Sequence, residues 1–308
     1  MRPMPKFQEE TLVGRQVAVG PDDTVFLQNR FGNVVVQGGA DAEVKAELIA
    51  GGDSKKDARD LLRQMTLTIE REGRKLNIAV NCPERGNATE FQSNFTASLP
   101  ACALLQVENT YGDVLVDEVK APVLVHNRFG SVSLHDCSSA DVTNAFGDVN
   151  VTGLGLRVSV DNRFGNVNAR DLQGDISVSN ENGILRLAGS RGRFQLENTL
   201  GDLSVNSCQG RFKITSNHGN LNFVQSETGP DTILAVGRNG DIQLCLPNCP
   251  CAQIDARTAR GKIDCRLPGT EPVRSGDQEQ SLTCSLGTAL ASFDLETVGG
   301  DITIKAAP

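Results

Sequence analysis

The stretch Val107-Glu-Asn-Thr-Tyr-Gly-Asp-Val114 returns as Val125-His-Asn-Arg-Phe-Gly-Ser-Val132, as Val142-Thr-Asn-Ala-Phe-Gly-Asp-Val149 and as Val160-Asp-Asn-Arg-Phe-Gly-Asn-Val167. A further copy is Leu196-Glu-Asn-Thr-Leu-Gly-Asp-Leu203. The repeat glycines Gly112, Gly130, Gly147, Gly165, Gly183, Gly201 and Gly219 step by 18, 17, 18, 18, 18 and 18 residues. A fixed period in this range marks a stacked solenoid, in which each repeat buries its apolar face only against its neighbours.

Apolar positions keep the same clock. Two and four residues after the glycine come Val114/Val116, Val132/Leu134, Val149/Val151, Val167/Ala169, Leu203/Val205 and, more distantly, Ile263/Cys265 and Ile302/Ile304. Seven and five residues before it come Leu105/Val107, Val123/Val125, Val158/Val160, Phe194/Leu196 and Phe212/Ile214. Alternation of this kind is a strand with one face buried, so each repeat carries two short strands. Seven residues after the glycine a third inward position reads Val119, Cys137, Leu154, Leu172, Ser190, Cys208 and Ser226. A turn of about 18 residues at about 3.3 Å each has a perimeter near 60 Å, which suits a filled coil and not a channel.

The asparagine and glycine of the motif read as corner chemistry. Glycine supplies positive φ, and a stacked asparagine amide can bond the corner and its copies above and below. The residue after the glycine runs Asp113, Ser131, Asp148, Asn166, Ile184, Asp202, Asn220, Asp241, Lys262. No two aspartates are adjacent in that order, as expected where carboxylates on neighbouring strands repel. The Gly-Gly-x-Gly-x-Asp calcium nonapeptide is absent.

Composition agrees. The chain has 308 residues, 31 glycines, 12 prolines, no tryptophan and one tyrosine, all compatible with many short strands. Its formal net charge of -8, without a lysine or arginine run, argues against nucleic acid as a partner. We find no apolar run of membrane-spanning length and no secretory signal behind the polar opening Met1-Arg-Pro-Met-Pro-Lys-Phe7, so the chain as given reads as cytosolic or trimmed.

Residues 1–100 depart from the clock and are expected to form an N-terminal capping region. It holds one early copy, Asn29-Arg-Phe-Gly32, a helix over about 53–65 capped by Asp53 or Ser54, and strands over 66–70 and 75–80. Residues 101–308 then carry the repeats, with a polar loop insertion over about 268–280 before the last turn.

At this point the chain resembles the bacterial putative-adhesin domains of unknown function that carry β-strand repeats. The features that carry the resemblance are the early strand pair, the helix before two strands, Ser98-Leu-Pro100 leading into Val107 to Val114, and the glycine-aspartate repeats. The resemblance implies an all-β, right-handed, single-strand parallel β-helix, envelope association and a role in adhesion.

Candidate chemistry is sparse. Tyr111, Phe129, Phe146 and Phe164 share one corner in four successive repeats and stand beside Arg128 and Arg163. We expect them to pack inward; facing outward, they would form a platform for a protein or glycan surface. Nine cysteines are present, and Cys137, Cys208 and Cys265 fall on inward positions. Cys245, Cys249, Cys251 and Cys265 are a weak soft-metal candidate, with a disulfide or unpaired thiols as alternatives, because C-x3-C-x-C is not a usual zinc spacing. His126, His135 and His218 occupy dissimilar repeat positions without a nucleophile beside them. No phosphate loop, dinucleotide fingerprint or metalloprotease helix occurs, and no cofactor is expected.

The sequence thus reads as a non-catalytic, adhesin-like binding or scaffolding solenoid. One alternative is a cytosolic scaffold that self-associates end to end. A polysaccharide-cleaving enzyme would need a groove lined by Asp with Arg or Lys, away from the corners.

Overall fold

The structure is a computed structural model that describes residues 6–83, 90–225, 229–247, 251–267, 279–288 and 290–307. The chain forms two compact units, Met1–Gly147 and Asp148–Pro308. Each is built from two sheets of mainly parallel strands whose inward side chains meet in a common core.

In the second unit one sheet runs in the spatial order Val149–Thr152, Val167–Arg170, Leu185–Ala188, Leu203–Asn206, Leu221–Val224, Ile242–Leu246, Ile302–Ala306, Ile263–Cys265. The other runs Arg157–Phe164, Gln173–Asn182, Arg191–Leu200, Gln209–His218, Thr232–Asn239, Ala291–Thr297, Ala252–Thr258, Gln280–Leu286. Pairing is in register, Leu185 with Leu203 and Phe194 with Phe212, so equivalent side chains stand in columns. Phe194 and Phe212 stack with centroids 4.4 Å apart, about one inter-strand spacing.

The first unit repeats the scheme with fewer rungs. Val34–Gly38, Val114–Asp117 and Val132–His135 pair in parallel, as do Thr24–Phe31, Leu104–Tyr111, Pro122–Phe129 and Ser139–Phe146. The early motif copy is therefore a full rung, with Asn29 opposite Asn109 and Phe31 opposite Tyr111. Beyond it the strands turn antiparallel: Phe7–Gln16 pairs with Glu43–Gly52, which pairs with Glu90–Leu99, and Thr66–Glu72 pairs with Lys75–Asn81. The helix spans Lys55–Leu62. Ser54 caps it by accepting from the Asp57 N–H, and Ala58 is its buried residue. Lys55 and Arg59 reach Glu9 at 3.8 and 3.3 Å, tying the helix to the first strand.

The expected inward pairs are buried in both units, from Val114 and Val116 to Ile302 and Ile304, with one exception, Cys265. Its strand ends the sheet, and among the described residues it pairs only with Ile302–Ala306. Of the third inward column, Val119, Cys137, Leu154, Leu172, Ser190 and Cys208 are buried. Ser226 and residues 268–278 of the polar insertion lie outside the described residues.

The order of the last rungs is a correction. The last turn does not stack on the end of the series after the polar insertion; the final segment inserts between its predecessors. Ile242–Leu246 pairs with Ile302–Ala306, which pairs with Ile263–Cys265. Asp241 and Asp301 are therefore neighbours, and the Asp301 N–H donates to Asp241 Oδ1 at 2.9 Å. The insertion leaves Ala252–Thr258 free to pair antiparallel with Gln280–Leu286 at the end of its sheet, a reversal of the strand direction that interrupts simple stacking.

Candidate functional site

The motif corner is built from three columns that do different work. The asparagine column points inward: Asn109 and Asn127 are 5% exposed, Asn162, Asn180 and Asn198 wholly buried. Asn127 Nδ2 donates to Gly130 O at 2.9 Å and to Asn144 Oδ1 at 3.1 Å. In the second unit Asn162 donates to Asn180, and Asn180 to Asn198, each at 3.1 Å. This amide ladder satisfies most of the polar groups that the tight corner buries, while the side-chain oxygens of Asn109 and Asn127 are buried without a partner among the described residues. Where the sequence changes type, a hydroxyl takes over: Ser216, Thr258 and Thr297 each donate to a corner glycine carbonyl.

Glycine is required by contact as well as by torsion. Gly130 has φ 131°, and a Cβ there would lie 2.2 Å from the Gly112 carbonyl oxygen of the preceding rung. The next column carries the aspartates and asparagines. Asp113 Oδ1 accepts from the Ser131 N–H at 2.7 Å, Asp148 from Asn166 at 2.7 Å, and Asp202 from Asn220 at 2.9 Å. These side chains rivet one rung to the next and are committed to the backbone.

The aromatic column faces outward, which corrects the expectation of inward packing. Inward space at the corner is already filled by the asparagine ladder. Tyr111 is 43% exposed and Phe146 39%, with Phe129 half-buried between them. Ring centroids are 5.0 Å apart from Tyr111 to Phe129 and from Phe129 to Phe146, with interplanar angles of 6° and 10°. Phe31 continues the row 5.7 Å from Tyr111 but is itself buried, beneath Phe91. Guanidinium groups lie over the rings: Arg30 over Phe31 and Arg128 over Phe129, both at 5.1 Å. At the buried end the row borders a groove of about 430 Å³ lined by Phe31, Tyr111, Phe91, Ile49, Gln8 and Glu90. In the second unit Phe164 is 37% exposed, with Arg163 5.3 Å above it and paired to Glu181 at 3.2 Å.

The cysteines do not converge as the soft-metal candidate requires. Cys245 pairs in register with Lys305, and that inserted strand separates it from Cys265. Cys249 lies outside the described residues, and Cys251 is half-buried. Among the described residues no group of three or more His, Cys, Asp or Glu side chains is arranged to hold a metal ion. Cys265 instead stands beside Cys284; a hydrogen bond between the two thiols, and then burial, raise the Cys284 thiol above its ordinary range. Burial pushes Cys137 and Cys208 up to about 11, and both thiols bond to backbone carbonyls at 3.3 Å, as small core side chains do.

One feature escaped the sequence reading. On the outer sheet face of the second unit, eight residues before each corner glycine, stand Arg157, Asp175, Arg193, Arg211 and Thr232. They border a groove of about 640 Å³ that also includes Lys213, Gln195 and Leu234. These charges are about 18 residues apart in the chain, so no basic run announces them. Reading down the repeat register would have found them.

These observations define an all-β, solenoid-like repeat protein with two parallel-stranded sheets and ordered outward columns. A model of the family Toastrack DUF4097 matches residues 25–305, and the chain belongs to that family. No curated protein matches it. Among solved structures, one described as a putative cell adhesion protein from Clostridium sporogenes is 12% identical, covering 97% of this chain and all of that one, with TM-score 0.26. One described as a putative lipid binding protein from Parabacteroides distasonis is 13% identical over 96% of this chain and 97% of that one, with TM-score 0.43. One described as a putative adhesin from Bacteroides fragilis is 13% identical over the same shares, with TM-score 0.32. No helix among the described residues is long and apolar enough to cross a membrane.

Proposed function

We propose that the chain is a non-catalytic, adhesin-like binding protein that engages a protein or glycan surface through its arginine–aromatic row. The observation that carries this reading is the outward stack of Tyr111, Phe129 and Phe146, with Arg128 over its middle ring. Stacked rings held rigid by a sheet lose little entropy on binding, and exposed aromatics with arginine are the side chains that anchor interfaces. The bordering groove adds a concavity beside a flat stripe. The reading takes the coil as right-handed, the hand of nearly all parallel crossovers. It takes the turn as about 18 residues, in keeping with partners such as Asn180 and Asn198.

Catalysis has no part in this reading. The three histidines lie on unrelated positions, and among the described residues the outer groove of the second unit is lined by one carboxylate, Asp175, where glycoside hydrolysis needs two. Self-association is the second reading, favoured by the strand Phe7–Gln16, which ends its sheet and leaves Phe7 and Leu12 46% and 67% exposed.

The test is retention on glycan-coated and protein-coated surfaces by the full chain and by a Phe129→Ser/Phe146→Ser variant. Retention of the parent and its loss in a folded variant supports the row. Equal retention by both, or none by the parent on any surface, overturns it. Concentration-dependent filaments under electron microscopy would favour the second reading.

A further inference from the structure

We propose that the outer sheet face of the second unit binds an extended acidic polysaccharide, with Arg157, Arg193, Arg211 and Lys213 receiving its carboxylate or sulfate groups. This site is separate from the arginine–aromatic row and stands without it.

Arrangement of charge is the first argument. Arg193 and Arg211 face each other directly on paired strands, and Lys213 lies two residues along the same face. Like charges opposite one another on adjacent strands destabilise a sheet. The chain as a whole is acidic, with a formal charge of -8, so this cationic cluster runs against its composition. Among the described residues Arg157, Arg211 and Lys213 form no ion pair. Arg193 has one partner, Asp175 at 4.0 Å, and both side chains are more than 70% exposed, so that contact is weak and readily exchanged. A bound polyanion would relieve the repulsion that the fold tolerates.

Shape and spacing select the polyanion. The groove, about 640 Å³, crosses the strands, so an occupant lying along it meets one rung about every 4.8 Å. That pitch is close to the length of one pyranose residue in an extended glycan. Gln195 and Ser177 offer amide and hydroxyl groups to sugar hydroxyls, and Leu234, 41% exposed, offers an apolar patch to a ring face. Single-stranded nucleic acid fits less well, because it needs exposed rings for base stacking. The phenylalanines here, Phe194 and Phe212, are 3% exposed and point into the core.

The experiment titrates the full chain with fluorescent oligogalacturonate and heparin oligosaccharide, alongside a neutral dextran oligosaccharide and a single-stranded oligonucleotide. Expected are binding of the acidic glycans that weakens as salt rises, and loss of about tenfold or more in affinity in Arg193→Gln/Arg211→Gln. The unfolding midpoint of that variant should stay level or rise, since a like-charge contact is gone. No binding of either acidic glycan, unchanged affinity in the variant, or dextran or oligonucleotide binding as tight as the glycans overturns the proposal. Loss of glycan binding in Phe129→Ser/Phe146→Ser with retention in Arg193→Gln/Arg211→Gln overturns the groove while leaving the row in place.

Discussion

Down the same repeat positions the two units agree inside and differ outside. The inward columns read Val114, Val132 in the first unit and Val149, Val167, Leu185, Leu203 in the second, all buried. At the corner position before the glycine the first unit presents Phe31, Tyr111, Phe129 and Phe146, whereas the second, after Phe164, presents Asn182, Leu200, His218 and Asn239. Eight residues before the glycine the first unit has Thr24, Leu104, Pro122 and Ser139, all neutral, and the second has the charged run Arg157, Asp175, Arg193 and Arg211 before Thr232. The shared core restricts only what points inward. Outward columns are free to specialise, and a side chain placed once per repeat is amplified into a stripe.

If that division holds, inward substitutions should cost the same in both units. Leu134→Ala and Leu187→Ala each remove a buried side chain, at 0% and 1% exposure. Each is expected to cost about 2–5 kcal/mol by urea unfolding. A cost confined to one unit would break the comparison.

The polar interior should matter at an intermediate scale. Asn180→Ala removes one acceptor of Asn162 and the donor to the buried Asn198 Oδ1, two bonds of the ladder at once. A loss of about 1–3 kcal/mol is expected. Asn180→Asp should fail to rescue it, because a carboxylate cannot donate to Asn198.

The smallest effects belong to ion pairs, and burial should separate them. Asp23 in the first unit has a side chain only 12% exposed and pairs with Arg71 at 3.0 Å. The Gly20 N–H, first, and the Arg71 guanidinium, second, hold its carboxyl below the ordinary 3.8. A depressed pKa stabilises the fold above pH 3.8, and that contribution is lost as pH falls through the folded value. Thermal midpoints of Asp23→Asn, followed from neutral pH downwards, should therefore converge on those of the parent at the acid end. Asp175→Asn in the second unit, whose pair with Arg193 is 4.0 Å long and exposed, should leave stability at neutral pH unchanged within about a few tenths of a kcal/mol.

Much of the fold was legible because a solenoid repeats its physics. The glycine steps located the rungs, the flanking pairs located the buried faces, and Ser54 before Lys55 located the helix. The outward turn of the aromatic row was not legible, since a bulky ring at a corner can fill the core or leave it. The amide ladder decided the matter by occupying the inward space. The charged run was hidden for another reason: its members are neighbours only once the chain is coiled.

Sequence alone determined the rung, because period, alternation and corner glycines are local properties that each repeat states for itself. Only the tertiary structure decided the order of the last rungs. Strand pairing joins segments far apart in the chain, and it sets Ile302–Ala306 between segments that precede it. The same non-local choice set Asp301 beside Asp241 and parted Cys245 from Cys265, relations that no reading along one dimension contains.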